Sequence, residues 1–300
     1  MASKKLVFHL GVNAGFFSEY NNMLLGYIYS LDNNMNFQIY SRDANFGYNK
    51  GWTDYFAPFT KESTWNYHHK YNYRSVDEFN YFKSRKLIRK ISFWKFISKT
   101  DYLTYEIFDK IRSSEFVNKN FTIGEHQDKN ELKNIFAELV KKTWRYNDLT
   151  KSLILSLTIN LNLPNNYVGI HIRGGDKKNE FKLFSIHEYI NKVKELTDNK
   201  NLFIATDDFD NVKQIKINYP EYYCFYLCKE EKQGYDQKTF EKQNKTIIRN
   251  EMIELFATTD ILTNADYFIG TYSSNIGTFI ASRRNYVDSY ALDFEEWRVW

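Results

Sequence analysis

From Tyr167 onward, short apolar runs alternate with longer amphipathic ones, and this alternation restricts the architecture more than any other feature of the chain. The runs at 167–172, 202–205, 222–227 and 266–270 have strand length and are rich in Ile, Val, Phe and Tyr. Helical spacing fills 186–196, 209–217 and 248–262, and a further helix begins near Ser274. Strands separated by helices of this size join in parallel, which predicts a doubly wound α/β sheet. Ligands of such sheets sit beyond the carboxyl ends of the strands. Three of the runs end there in polar groups.

The first run leads into His171-Ile172-Arg173-Gly174-Gly175-Asp176-Lys177. Two glycines let backbone approach a ligand closely, and the planar fork of Arg173 can hold two phosphate oxygens at once. Lys177 offers a second positive charge, and Asp176 can orient a cation or a ligand hydroxyl. The plain alternative is a surface Asp–Arg pair beside a glycine turn. The second run ends in Ala205-Thr206-Asp207-Asp208. Adjacent carboxylates suit Mg²⁺, ribose hydroxyls or nothing, and one of the two is expected to cap the next helix. The third leads into Thr271-Tyr272-Ser273-Ser274-Asn275, either an anion nest at a helix start or a simple serine cap. Three such ends in one half of the chain suggest one crevice for a phosphorylated ligand.

The other half is less regular. A strand at 5–10, the loop Gly11-Val12-Asn13-Ala14-Gly15 and a helix with Ser18 as N-cap and Glu19 in its first turn open the chain. A strand follows at 36–40. Residues 45–125 are aromatic and polar without a period, and 130–161 has the spacing of one or two helices. Pro164 punctuates the chain, so the expected division is 1–162 and 163–300.

Composition mainly excludes. A net charge of +4 is too small to argue for nucleic acid and is compatible with an anionic substrate. The 24 Tyr and 25 Phe accompany an abundance of Asn, Lys and Ile, so most of the aromatic excess reads as codon bias, with a few rings left as ligand platforms. Cys224 and Cys228, without further Cys or His pairs, give neither a zinc site nor a disulfide framework and read as buried thiols. No apolar run approaches the ~20 residues that span a bilayer. With no leader recognised at Met1, a soluble cytoplasmic protein is expected, whose sequons at Asn120 and Asn244 carry no glycan. Lys83–Lys99 places seven cations among apolar residues. Such a helix can lie on an anionic membrane, but a packed surface helix with solvated lysines is the expectation.

Taken in order, His-x-Arg-x-x-Asp-Lys at 171–177, Ala-Thr-Asp-Asp at 205–208, then Asp260, Ala265-Asp266-Tyr267 and Thr-Tyr-Ser-Ser-Asn at 271–275 resemble the α-1,6-fucosyltransferases and the rhizobial nodulation fucosyltransferases. The resemblance covers roughly 165–285, and 15–22 more loosely resembles the N-terminal glycine loop, at Gly15, of the wider clan. It implies two Rossmann-like lobes of the GT-B type, an acceptor-side lobe followed by a nucleotide-sugar lobe. It also implies an inverting glycosyltransferase that carries a sugar from a nucleotide donor to a glycan, with no metal or other cofactor. Arg173, helped by Ser274 and Asn275, would hold the donor diphosphate, Ser273 belongs to the same donor-binding set, and His171 and Asp260 would lie near the nucleobase. Gly174, Gly175, Asp176 and Lys177 complete the donor loop. Asp207 and Asp208 match a pair needed for activity, and Glu180 matches the carboxylate proposed as base. Two departures stand out: Gly174 replaces a second arginine, and Asn275 replaces a glutamine. The resemblance favours GDP-fucose as donor, and the departures make a UDP-sugar such as UDP-xylose a competitor. A binding protein without turnover is the alternative from another class.

Overall fold

The computed structural model describes residues 3–11, 14–74, 85–123, 130–174 and 183–299. The chain divides into two compact units, Met1–Asn147 and Asp148–Trp300.

In the first unit, β1 (Lys5–His9), α1 (Phe16–Asp32) and β2 (Asn36–Tyr40) are followed by α2 (Tyr67–Tyr71), α3 (Arg85–Ser98), β3 (Tyr102–Leu103), α4 (Thr104–Ile111) and α5 (Ser114–Val117). A short antiparallel pair, β4 (Asn120–Phe121) and β5 (Asn130–Glu131), precedes α6 (Leu132–Thr143). Strands β2, β1 and β3 form a parallel sheet in that order. Helix α1 starts at Phe16 rather than after Ser18, because the carbonyl of Gly15 already accepts the amides of Ser18 and Glu19. Glu19 is not a solvated first-turn acid. It is fully buried, its Oε2 accepts the Gly11 amide at 2.8 Å, and it pairs with Arg74.

The segment without a period turns out to be core. Trp52, Tyr55, Phe56 and Phe46 have essentially no exposure. Trp52 stacks on Phe56 with centroids 4.3 Å apart and on Tyr20 of α1 at 6.1 Å, and Trp144 meets Phe56 edge-on at 4.8 Å. Burying each such ring contributes about 1.5–3 kcal/mol, so these rings hold the first unit together instead of facing a ligand.

The second unit comprises α7 (Asp148–Thr158), β6 (Val168–Ile172), α8 (Ile186–Leu196), β7 (Asn201–Thr206), α9 (Phe209–Asn218), β8 (Tyr223–Phe225), α10 (Gln237–Glu241), α11 (Lys245–Asn264), β9 (Tyr267–Gly270), α12 (Asn275–Arg283) and β10 (Ser289–Ala291). The unit begins earlier than expected because α7 packs on α11 and so belongs with the C-terminal sheet and its helices. Five parallel strands run in the order β10-β9-β6-β7-β8. Counted within the unit this is the 5-4-1-2-3 order, a doubly wound sheet that reverses beside its first strand. Val168, Ile170, Leu202, Ile204, Ile190 and Val212 fill the space between sheet and helices. The helix starts are capped by side chains where the sequence supplies them: Ser185 with Glu188 in a capping box, Asp208 for α9 and Asn244 for α11. Both cysteines are free thiols, and burial pushes Cys228 up to about 11. No helix among the described residues is long and apolar enough to cross a membrane.

Candidate active site

In a doubly wound sheet the ligand crevice opens where the strand order reverses, at the carboxyl edge. Here that point lies between β6, whose successors β7 and β8 extend one way, and β9, whose successor β10 extends the other. Arg173 and Gly174 follow the last residue of β6, and Thr271–Ser274 follow the last residue of β9. The first and third motifs therefore flank the switch point, and Asp207 and Asp208 follow the neighbouring strand β7.

Asp207 ties two loops together. Its Oδ1 accepts the Gly174 amide at 2.8 Å and its Oδ2 accepts the Tyr235 amide at 3.2 Å, while its carbonyl accepts Gly234 N at 2.8 Å. A Cβ at position 174 would stand 3.1 Å from Asp207 Oδ1 and 3.4 Å from Asp208 Cβ. Glycine at this position lets the loop after β6 sit against β7. Asp208 is the helix cap: its Oδ1 accepts Asp210 N at 3.1 Å, and its backbone exchanges bonds with the Thr206 hydroxyl. Gly175, Asp176, Lys177 and Glu180 lie outside the described residues.

The loop after β9 is held by a residue that local sequence did not bring forward. The two carboxylate oxygens of Asp293 accept the amides of Tyr272 and Ser273, each at 2.8 Å. The expected nest is therefore filled, at these two amides, by the chain's own carboxylate. Ser274 is the N-cap of α12, only 1% exposed, and its hydroxyl is buried with no hydrogen-bond partner and no capping bond. Such an orphaned hydroxyl costs about 1–3 kcal/mol unless something fills it. Asn275 opens the helix. Gly277 permits the approach of α12 to the loop, since a Cβ there would lie 2.1 Å from the Thr271 carbonyl oxygen.

His171, on β6, has a buried Nδ1 without a partner. Burial, then the charge of Arg173, depress it to about 3, so it is a neutral imidazole at physiological pH. Asp260 of α11 is ion-paired with Arg283 of α12. Arg283 carries no motif signal in the sequence, and the pair spans two helices that no local pattern connects. Among the described residues no group of three or more His, Cys, Asp or Glu side chains is gathered to hold a metal.

In the first unit, Gly15 forms the N-cap of α1. A second polar cluster, invisible in the sequence, lies at the carboxyl edge of its sheet. His9 ends β1; its Nε2 contacts Asp43 Oδ1 at 2.8 Å and its Nδ1 contacts the Asn72 carbonyl at 2.8 Å. The other oxygen of Asp43 meets His69 Nδ1. Burial pushes the Asp43 carboxyl upward, but hydrogen bonds from His9 and His69 bring it below its ordinary value. Next to it, the buried His68 is held neutral, at about 3, by burial and by the charges of His9 and Lys5.

The sequence model of the alpha-(1,6)-fucosyltransferase N- and catalytic domains matches residues 2–279. The chain belongs to the α-1,6-fucosyltransferase family. It is a glycosyltransferase. Among solved structures, fucosyltransferase NodZ from Bradyrhizobium is 13% identical with a TM-score of 0.56, covering 98% of this chain and 97% of that one. NodZ alpha-1,6-fucosyltransferase soaked with GDP-fucose gives 12% and 0.56, with 98% and 95% covered. The Arabidopsis thaliana FUT1 mutant R284K in complex with GDP gives 12% and 0.54, with 94% and 68% covered. At these identities the likeness is one of fold, two Rossmann-like lobes of the GT-B type. No curated protein matches the chain in sequence.

Proposed function

We propose that this member of the fucosyltransferase family moves fucose from GDP-fucose to a hydroxyl of a glycan, with inversion at the anomeric carbon and without a metal ion. Arg173 binds the donor diphosphate through its planar fork, and the Ser274 hydroxyl donates to the same group. His171, neutral, and Asp260 border the nucleobase. Glu180 takes the proton of the acceptor hydroxyl as that oxygen bonds to the sugar carbon and the bond to the diphosphate breaks. Arg173 and Lys177 stabilise the charge that develops on the leaving group. The second unit thus serves the donor, and the first unit serves the acceptor.

The observation that carries the reading is Ser274. A buried hydroxyl without a partner, at the start of a helix beside the switch point, is the donor that an anionic ligand in this crevice would satisfy. Metal independence is supported by Asp207 and Asp208, whose carboxylates accept backbone amides of Gly174, Tyr235 and Asp210. The guanosine donor is supported by the relatives crystallised with GDP or soaked with GDP-fucose.

Gly174 favours a second reading of the donor alone. Without the guanidinium that the family carries there, the same fold and mechanism could serve a UDP-sugar such as UDP-xylose. A thermal-shift panel of GDP-fucose, GDP-mannose, UDP-xylose, UDP-glucose, GDP and UDP, in EDTA and in Mg²⁺, separates the two, because a ligand of the native state raises the melting temperature by mass action. Shifts with GDP and GDP-fucose that ignore Mg²⁺ are expected. Shifts with UDP species alone would replace the donor. A donor that binds but is neither hydrolysed nor transferred would make the protein a binding module.

A further inference from the structure

Helix α3 has two faces that differ in a way packing does not explain. One stripe, Leu87, Ile91, Trp94 and Ser98, is buried or half-buried and packs toward Tyr67 and Leu103. The opposite stripe, at the same helical spacing, is Arg85, Arg89, Phe93 and Phe96. There Phe93 is 55% and Phe96 84% exposed, with Ile88 at 50% and Ile97 at 41% on the flanks. A solvated surface helix fills such positions with polar residues. This one sets two aromatic rings in line with two guanidinium groups instead.

Charge gives the patch its partner. Arg85–Ser98 contains five cations, Arg85, Lys86, Arg89, Lys90 and Lys95, and no acid. Lys95 is paired with Glu106 of α4 and Lys90 lies over the Tyr71 ring, both on the packed side or its border. Arg85, Lys86 and Arg89 share the outer side with the phenylalanines. Trp65, 39% exposed, adds a further ring, its centroid 6.3 Å from that of Trp94 at the edge of the same helix. Helix α7 also exposes leucines, Leu149 and Leu155, but with one lysine and one aspartate paired to each other it presents no net charge.

We infer that the outer face of α3 docks on an anionic lipid surface. The rings enter the boundary between headgroups and acyl chains, and the arginines and lysine meet lipid phosphates. A lipid surface meets both halves of the patch at once, its phosphates facing the cations and its acyl boundary taking the rings and the aliphatic flanks. The attraction falls off within about 10 Å at 0.1 M salt, so docking is salt-sensitive while the rings retain part of it.

The test is co-sedimentation of the full chain with vesicles of phosphatidylcholine alone or doped with phosphatidylglycerol, at low and high salt. Binding is expected to be about ten-fold stronger to the anionic vesicles. The pair Phe93→Ser with Phe96→Ser, and separately the pair Arg85→Gln with Arg89→Gln, should each weaken it about five-fold or more while the far-ultraviolet dichroism stays unchanged. Both pairs lie on the solvent face, away from the stripe that packs on Tyr67 and Leu103. No sedimentation with anionic vesicles at low salt would overturn the inference. So would wild-type binding by the serine pair, which would reduce the effect to diffuse charge. A dimer that the serine pair abolishes, with vesicles ignored, would assign the face to a second copy of the chain and overturn it equally.

Discussion

The amide of Gly174 donates to Oδ1 of Asp207 across 2.8 Å, and that bond ties the loop after β6 to the loop after β7. The same carboxylate accepts the Tyr235 amide, so one side chain fixes three segments at the edge of the crevice. Asp207→Ala removes both bonds and leaves two amides without an acceptor. The expected loss is about 1–3 kcal/mol of stability and about ten-fold in GDP affinity. Urea unfolding and calorimetric titration read the two, and unchanged GDP affinity would remove Asp207 from the donor site.

Position 174 is also where the resemblance to the family leads one to expect a second arginine. Gly174→Arg does not restore a contact, because its Cβ would stand 3.1 Å from Asp207 Oδ1 and strain the bond between that oxygen and the amide. Weaker GDP binding in this variant is the expected result. Tighter binding would mean that the loop accommodates the family's residue and that the glycine is not required by packing.

Gly277 is the stricter case. A Cβ 2.1 Å from the Thr271 carbonyl oxygen meets backbone rather than a flexible side chain, so α12 must move away from the loop it anchors. Gly277→Ala should destabilise the protein by about 1–3 kcal/mol or more, although alanine is the better helix former. A variant as stable as the wild type would show that the helix start has room to shift.

Two desolvated histidines set a pH dependence. His171 and His68 are both depressed to about 3, chiefly by burial, against an ordinary value near 6.5. Between those values the unfolded chain binds protons that the folded chain refuses, so stability rises with pH across that window and is complete above pH ~6.5. Each histidine contributes a slope of about 1.4 kcal/mol per pH unit well below pH 6.5. Urea midpoints between pH 7 and pH 5, above the range of most carboxyls, isolate the effect. His68→Gln should reduce the slope by about one proton, and an unaltered slope would place the uptake elsewhere.

The second unit was legible because local signals agree there. Strands of Ile, Val and Phe are followed by helices that begin at Ser185, Asp208 and Asn244, whose side chains cap them. The family model and the sheet order bear out the resemblance and the α/β class. What escaped notice depends on distance along the chain. Asp293 reaches amides 20 and 21 positions earlier, and His9, Asp43 and His69 come from three segments. Trp52, Tyr55 and Phe56 gave no period because they lie in and just after a 3₁₀ turn, not along a regular strand or helix. Strand β3 has two residues, too few for alternation to register.

The most direct measurement is calorimetric titration of GDP, in EDTA, into the wild type and into Arg173→Ala. The wild type should bind, and loss of the charge-assisted contact should weaken binding by about 10- to 150-fold, equivalent to about 1.5–3 kcal/mol. The melting temperature without ligand should not change. A wild type that ignores GDP under these conditions, or an alanine variant that binds it equally well, would contradict the assignment of the β6 loop to the donor diphosphate.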